Sequence, residues 1–264
     1  MRAAVEQAVR TMWERYDEPL TLDELADIAI LSKFHFCRVF CTVTGTSPGR
    51  FLSAVRLYRA KNLLLETLLS VADISHLVGY NSIGTFASRF TRSVGMSPSR
   101  YRYMSQIGIS PPAPPALTDS VNSTGAVRGT LHLPRTGTPV RTYVAVFGSR
   151  IPEGVPVACD VARSDGGYRL DNVPCGEWYV HAIAVAIEDV EPLPWHRRPL
   201  FVDTGVSVAM SSGMTVQLDL APHPVCPIDL PILLALPELD NHEPPAGQGL
   251  PTVAWNRRSV ATQT

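Results

Sequence analysis

Apolar side chains in the first part of the chain recur every three or four residues, which places them along one face of an α-helix. The first stripe runs through Val5, Val9 and Met12, and comparable stripes continue to about residue 105. The predicted helices cover residues 2–16 and 48–67, begin after Thr21, Ser32 and Ser82, and include short ones at 73–77 and 98–101. Residues 1–105 are therefore expected to form an all-α region of seven helices.

Helix-boundary signals agree with this pattern. Thr21 and Glu24 have the spacing of a capping box, in which each side chain bonds the other residue's backbone amide. Gly45 and Gly95 stand where a helix ends on a left-handed residue, and Pro48 stands at a favoured first helical position. Each of these boundaries has its own chemical cause.

The helical pattern repeats at an offset of 50 residues. The repeated residues are Ser32, Phe36 and Phe40 with Ser82, Phe86 and Phe90, and the stretch 45–51 with 95–101. Each copy predicts a helix, a turn and a second helix. Two helix-turn-helix units in tandem indicate DNA binding, because the second helix of such a unit lies in the major groove.

The pattern changes after residue 105. Residues 106–124 include four prolines within 110–115, which favour an extended linker. Over residues 125–221 short apolar runs alternate with Gly, Pro, Asp and Ser, as in β-strands. The predicted strands lie near residue 127 and at 130–133, 140–147, 157–161, 179–187, 206–209 and 216–220, with turns at 165–167 and 172–176. About seven short strands in this length indicate a β-sandwich.

The last part of the chain has no strand pattern. Residues 222–240 are apolar and rich in proline, so we expect them to pack on the sandwich. Residues 241–264 lack any periodicity and are expected to form a disordered tail. The predicted fold class is thus multidomain, with an N-terminal all-α region followed by a C-terminal β-sandwich.

Composition indicates where the protein works and what kind of partner it binds. No stretch approaches the roughly 18 apolar residues of a membrane span, and the N-terminus lacks a signal-peptide core, so a cytoplasmic protein without membrane contact is expected. Residues 1–105 carry 13 Lys and Arg against 9 Asp and Glu, whereas residues 106–264 carry 10 against 15. The basic front half suits a polyanionic partner.

The five cysteines show no zinc-type spacing, so no metal and no cofactor is expected. Cys37 and Cys41 lie one helical turn apart. They could join a metal or redox site, although no further ligand is evident. The simpler interpretation is a pair of reduced thiols that are buried or face the groove.

The inward Phe pairs fix which side of each second helix faces outward. In the first unit the outward side carries Lys33, Phe34, Cys37, Arg38 and Cys41. Arg38 is the best candidate for base reading, because its fork can bond the O6 and N7 atoms of guanine. It could instead contact phosphate or solvent, and Phe34 could either touch a thymine methyl group or lie buried between helices.

The outward side of the second unit has shorter side chains, including Ile83, Gly84 and Ser88. It is therefore expected to contribute less base reading and more positioning on the backbone. The expected phosphate contacts of the two units are Lys33, Ser82, Arg89 and Arg92. Arg89 and Arg92 could also be plain solvated surface.

The repeated motif resembles the DNA-binding domain of AraC-type transcription regulators over about residues 5–103. The resemblance is carried by Leu25-Ala26, Ser32, Phe36, Arg38-Val39-Phe40, residues 45–51, Arg56, Ala60, Leu63-Leu64, Ile74, Val78-Gly79-Tyr80, Ser82, Phe86, Arg89-Phe90 and residues 95–102. It implies a seven-helix fold in which the helix from Pro48 joins the units, and recognition helices in successive major-groove segments about 34 Å apart. The base-facing positions implied by this resemblance are Phe34, Cys37, Arg38, Ile83, Gly84 and Ser88.

Two features depart from that family. Cys37 and Ile83 stand where longer polar residues are common, so the target sequence does not carry over from relatives. The second region also follows the DNA-binding region instead of preceding it. Residues 166–180 resemble the carboxypeptidase-regulatory or transthyretin-like β-sandwich, which implies a packing or binding role.

No catalytic set emerges, so no enzyme activity is expected. Ser212, His181 and Asp203 cannot be brought together from sequence alone, and His181 and Cys175 fit core or turn positions better than metal sites. One local cluster could grip an anionic ligand, although such clusters are more often solvated. It comprises Trp195, His196, Arg197 and Arg198.

The predicted function is a sequence-specific transcription regulator that binds double-stranded DNA through both recognition helices. The acidic β region could sense a small-molecule effector, join two protomers or contact RNA polymerase. Either a monomer or a homodimer fits, because two units already span two groove segments. The alternative is a protein-binding adaptor whose β-sandwich is the active module and whose helical region binds DNA weakly.

Overall fold

The computed structural model describes residues 1–107, 124–187 and 198–235. The expected linker core at 108–123, residues 188–197 and the predicted tail lie outside the described residues. The helices are α1 (Arg2–Glu14), α2 (Leu22–Ile28), α3 (Lys33–Thr44), α4 (Pro48–Glu66), α5 (Val71–Leu77), α6 (Ile83–Val94) and α7 (Pro98–Ile107). The expectation of seven helices over residues 1–105 is confirmed, and the last helix continues to Ile107.

Local side chains explain most helix boundaries. The capping box is present, since Thr21 Oγ1 accepts from the Glu24 amide at 3.2 Å and Glu24 Oε2 accepts from the Thr21 amide at 2.8 Å. Gly45 and Gly95 adopt φ of 75° and 93° as the left-handed ends of α3 and α6. Ser32 stands at the N-cap of α3 as expected, although its side chain makes no capping hydrogen bond.

Two boundaries differ from the prediction. Helix α5 begins at Val71 because Ser70 and Asp73 form a second capping box, which the apolar pattern does not reveal. Helix α7 continues past Tyr101 to Ile107, where Met104 is buried against the helical core. A capping box therefore lengthens α5 at its start, and packing lengthens α7 at its end.

Each helix-turn-helix unit has its own aromatic core. In the first unit Phe40 packs edge-on against both Phe36 and Phe51, with ring centroids 5.4 and 5.6 Å apart. In the second unit Phe90 contacts Phe86 and Tyr101 at 5.6 and 5.8 Å. All these rings are almost fully buried, and burying each contributes roughly 1.5–3 kcal/mol. The 50-residue repeat is thus a repeat of core positions.

Nine strands fall in the described part of the β region, some of them outside the predicted positions. They are β1 (Thr124–Thr130), β2 (Val140–Phe147), β3 (Ala158–Val161), β4 (Gly167–Pro174), β5 (Gly176–Ala186), β6 (Pro199–Val202), β7 (Val206–Met210), β8 (Thr215–Gln217) and β9 (His223–Pro224). One sheet has the order β4-β1-β8, and the other has β3-β2-β5-β6-β9 with β7 also paired to β5.

The sequence pattern missed β4 and misplaced its neighbours. The expected turn at 172–176 shortens to Cys175 because β4 runs to Pro174 and β5 starts at Gly176. The strand expected at 130–133 ends at Thr130, and Leu131 makes only an isolated bridge with Leu220. Edge positions and bridges depend on the partner strand, which local alternation does not specify.

The two sheets share one apolar core. Leu170 and Val127 of the smaller sheet cluster with Val144, Val146 and Val180 of the larger sheet. The opposite face of the larger sheet is also buried, because Tyr143 and Phe147 pack with Leu234. Strands β2 and β5 are apolar on both faces for this reason.

Residues 225–235 contact both the helices and the larger sheet. Ile228 packs with the first helical core, Leu233 lies within the second, and Leu230 contacts both. The Trp13 indole Nε1 also donates to the Pro227 carbonyl at 3.0 Å. The segment that we expected to pack on the sandwich therefore also packs across the helical region.

Lys61 fixes this segment from α4. Its side chain is 8% exposed, and its ammonium group donates to the Leu234 carbonyl at 2.7 Å and to the Ile232 carbonyl at 3.3 Å. The ammonium group also lies 6.0 Å from the centroid of the Tyr101 ring. A buried charge is tolerated here because carbonyl dipoles surround it.

Lys61→Met should lower the free energy of unfolding by about 2 kcal/mol, because methionine fills the space but leaves both carbonyls without their donor. Urea denaturation measures the change. The control is Lys33→Met, at the exposed lysine that pairs with Asp23, which should change stability by no more than about 0.5 kcal/mol. Equal effects of the two substitutions would contradict a stabilising role for the hydrogen bonds of Lys61.

Candidate nucleic-acid interface

Helix α3 buries one side and presents the other to solvent. Phe36 and Phe40 are fully buried, whereas Phe34 is 88% exposed. Arg38 is exposed beside it, and Cys37 is half-buried. The alternative of Phe34 buried between helices is therefore wrong, and the side chain stands on the open face with Arg38.

Helix α6 presents an exposed face with shorter side chains than that of α3. Phe86 and Phe90 are fully buried, and Ile83, Gly84 and Ser88 are exposed. A Cβ built on Gly84 would come near only Ser82 Oγ, at 3.8 Å. The start of α6 therefore has room for close approach by a neighbouring molecule, and its side chains offer mainly apolar contact.

The expected phosphate contacts lie around these faces in different environments. The Lys33 ammonium group pairs with Asp23 Oδ1 at 2.7 Å, and both side chains are well exposed. Ser82 Oγ accepts from the Thr85 amide at 3.4 Å, which leaves its hydroxyl proton available. Arg89 donates to Ser53 Oγ at 3.3 Å, and Arg92 is exposed.

A loop of the β region reaches the end of α6, which the sequence analysis did not foresee. Glu153 Oε2 accepts from Ser93 Oγ at 2.7 Å, and its Oε1 lies 3.3 Å from Arg50 Nη2. The Gly154 amide donates to the Ser93 carbonyl at 2.7 Å. Arg50, Arg89 and Arg92 line one groove of about 580 Å³ with Glu153. A carboxylate therefore sits within a basic groove between the units.

Arg56 of α4 ties the two units together. It donates to the Tyr16 carbonyl at 2.6 Å and to the Glu18 carbonyl at 2.7 Å. Burial lowers the pKa of this guanidinium group, although it remains charged. Gly79 of the second unit, at φ of 79°, packs against Asp17 and Arg56 at the same place. This contact sets how the units are arranged.

The paired cysteines of α3 lie at the edge of its exposed face. Cys41 is exposed as a residue, but partial desolvation of its thiol, together with the neighbouring Cys37, raises its pKa. A raised pKa keeps the thiol neutral near pH 7, which disfavours a redox role. Neither Cys37 nor Cys41 belongs to a group of three or more potential metal ligands within the described residues.

The structure brings together two of the three residues, Ser212, His181 and Asp203, from which the sequence alone could build no catalytic site. His181 Nδ1 lies 3.3 Å from Asp203 Oδ1, and both side chains are buried. They line a cavity of about 440 Å³ between the helices and the larger sheet, and among the described residues Ser212 is not part of its wall. The prediction that His181 is a core or turn residue agrees with the burial of its side chain.

The expected ligand cluster is only partly described. Trp195, His196 and Arg197 lie outside the described residues. Arg198 is exposed, and its Nη2 lies 3.3 Å from Glu66 Oε1 of α4. The described part thus places Arg198 at the boundary between the β region and the helices.

Comparison with known proteins identifies the helical region. Residues 25–104 match the family model for a helix-turn-helix domain. The lactose operon transcription activator of Staphylococcus xylosus is 30% identical over 99 residues, which cover 38% of this chain and 36% of that protein. The melibiose operon regulatory protein of Escherichia coli is 32% identical over 102 residues, with coverage of 39% and 34%.

A further relative combines two activities. The bifunctional transcriptional activator/DNA repair enzyme AdaA of Bacillus subtilis is 33% identical over 94 residues, which cover 36% of this chain and 44% of that protein. The DNA-binding domain of AdpA, solved with a target DNA, is 28% identical with a TM-score of 0.38, covering 39% of this chain and 93% of that one. The chain spans less than half the length of the curated relatives named here.

The helical region is similar to the helix-turn-helix domains of known transcription regulators. The resemblance of the β region to a carboxypeptidase-regulatory or transthyretin-like sandwich stays a prediction. None of the described helices is long and apolar enough to cross a membrane.

The raised pKa of Cys41 predicts slow alkylation at neutral pH. The rate of reaction with iodoacetamide should rise along a pH curve whose midpoint lies above that of the same cysteine in the urea-unfolded chain, because only the thiolate reacts. Mass spectrometry of the peptide containing Cys41 measures each rate. A folded midpoint at or below the unfolded one would indicate an activated thiol.

Proposed function

We propose that the chain is a sequence-specific transcription regulator that inserts α3 and α6 into successive major-groove segments of double-stranded DNA. One observation supports this most strongly. The expected base-facing residues of both helices lie on open surface or at its edge, while the β region packs against other parts of the helical region. A reading face that remains open beside a docked domain is what DNA binding requires.

The two helices differ in what they can read. Arg38 on α3 has the reach and the paired donors to recognise guanine, and Phe34 beside it offers a ring to a thymine methyl group. Ile83, Gly84 and Ser88 on α6 offer small contacts and close approach. We therefore assign most of the discrimination between sequences to the first unit and most of the positioning to the second.

The phosphate contacts follow from the charges around these faces. Lys33 precedes α3 residues that face the groove, and its pairing with Asp23 is exposed and easily exchanged for a phosphate. Arg89 and Arg92 flank the face of α6, and the N-terminus of α6 adds a partial positive charge. These groups provide affinity that is independent of base sequence.

The β region has the layered arrangement of a β-sandwich in this proposal, since its two sheets bury a common core. Its role is regulation or association, by an effector, a second protomer or RNA polymerase. DNA binding itself requires only one protomer, because two units are already present. A small set of contacts at Ser93 and Arg50 would pass a change in the β region to the DNA-binding face.

Selection from random duplex DNA at moderate salt tests the function. Wild-type protein should enrich a site about two helical turns long, and Arg38→Ala should relax one half of it with a loss of about 1–3 kcal/mol on the preferred bases. Arg10→Ala, an exposed arginine on α1, is the matched control and should leave the site unchanged. Weak, equal binding to all sequences, together with a tight protein partner, would favour the adaptor instead.

The phosphate assignment has a different signature from base reading. Lys33→Ala and Arg92→Ala should weaken binding to all sequences alike, and each should reduce the slope of log K against log salt by about 0.9. Fluorescence anisotropy with one enriched and one scrambled duplex measures both effects. A loss confined to the enriched duplex would assign these residues to base reading.

A further inference from the structure

A cluster of three metal-ligating side chains lies where the β region meets the helices. His223 Nε2 is 3.0 Å from Asp229 Oδ1, and Cys226 Sγ is 3.1 Å from Asp229 Oδ2. One donor atom from each residue lies within 4.8 Å of the other two, and all three residues are partly buried. Within the described residues this is the group that could hold an ion.

The donors are held in place by the backbone. The Cys226 amide donates to Asp229 Oδ2 at 2.7 Å, and the Asp229 amide donates to the Cys226 carbonyl at 3.0 Å, which closes a tight turn. His223 lies on β9, where it pairs with Val202 of β6. The cluster therefore joins a fixed turn to a sheet edge, and little ordering is needed to bring the donors together.

The surroundings add a second observation. The cluster lines the same cavity of about 440 Å³ as the buried His181 and Asp203. His181 Nε2 and Asp203 Oδ2 are buried atoms without a hydrogen-bond partner. Polar groups are rarely left in this condition, so they indicate that a water molecule or another polar group belongs in this cavity. An ion at the cluster would thus face a polar cavity that could supply its remaining ligand.

We propose that His223, Cys226 and Asp229 form a site for a divalent transition-metal ion. One imidazole nitrogen, one thiolate and one carboxylate match Zn²⁺ best, because it accepts all three donor types in tetrahedral geometry. Three protein ligands leave the fourth position open to the cavity. On binding, the metal–sulfur bond replaces the thiol S–H bond, and the released proton passes to the solvent.

The position of the site gives the ion a structural consequence. The turn carries Pro227, whose carbonyl accepts from Trp13 of α1, and Ile228, which packs on the first helical core. His223 belongs to the larger sheet. An ion held by His223 and by the turn therefore fastens the β region to the helices.

Cobalt titration of the reduced full-length protein, freed of any tag and of metal, tests the site. Co²⁺ should bind one equivalent and produce a thiolate-to-cobalt charge-transfer band, which Zn²⁺ then displaces. Cys226→Ser should abolish the band, whereas Cys41→Ser should retain it. Zn²⁺ should also raise the Tm of the wild-type protein, because the ion binds only the folded arrangement.

Two further variants keep the test decisive if Cys226→Ser does not fold. His223→Gln and Asp229→Asn should each weaken cobalt binding by at least about tenfold, on the scale of changes at metal sites. Circular dichroism of each metal-free variant checks its fold. A wild-type protein without the charge-transfer band, or a band that survives in Cys226→Ser, would overturn the proposal, as would unchanged affinity in the other two variants.

Discussion

The arrangement of the two helix-turn-helix units depends on the contact between Arg56 and the carbonyls of Tyr16 and Glu18. These carbonyls lie in the loop that follows α1, and both accept hydrogen bonds from the charged guanidinium group of Arg56. Gly79 closes against the same point from the second unit, where an added Cβ would lie 2.8 Å from the Asp17 carbonyl oxygen. One arginine and one glycine thus fix three elements to one another.

The consequence is a rigid separation between α3 and α6. The 19 residues of α4 span roughly 28 Å along its axis, and its two ends belong to the two aromatic cores. In the proposed function, α6 makes few base contacts and contributes to DNA binding only if its position relative to α3 is fixed. The short side chains of α6 and the firm joint at Arg56 are therefore complementary features of the same domain.

The parts that sequence predicted are those with local causes. The phase of Phe36 and Phe40 sufficed to place Phe34 and Arg38 outward, and Gly45 and Gly95 marked the ends of α3 and α6. The contacts of Glu153 with Ser93 and Arg50 join residues 60 and 103 positions apart, and no local pattern encodes them. Strand β4 was missed because it pairs with β1 of the same sheet, from which β2 and β3 of the other sheet separate it along the chain.

The segment after the last long strand shows why composition alone was misleading there. Its prolines were interpreted as a covering on the sandwich, yet its apolar residues alternate between two partners. Leu234 faces the sheet, whereas Leu233 enters the second helical core. An extended chain can do this because successive side chains point to opposite sides. Prolines suit such a segment, since they keep the backbone extended and their missing amides need no partner. The β region and the helices are thereby joined through one shared apolar layer, so a change at this layer bears on both regions.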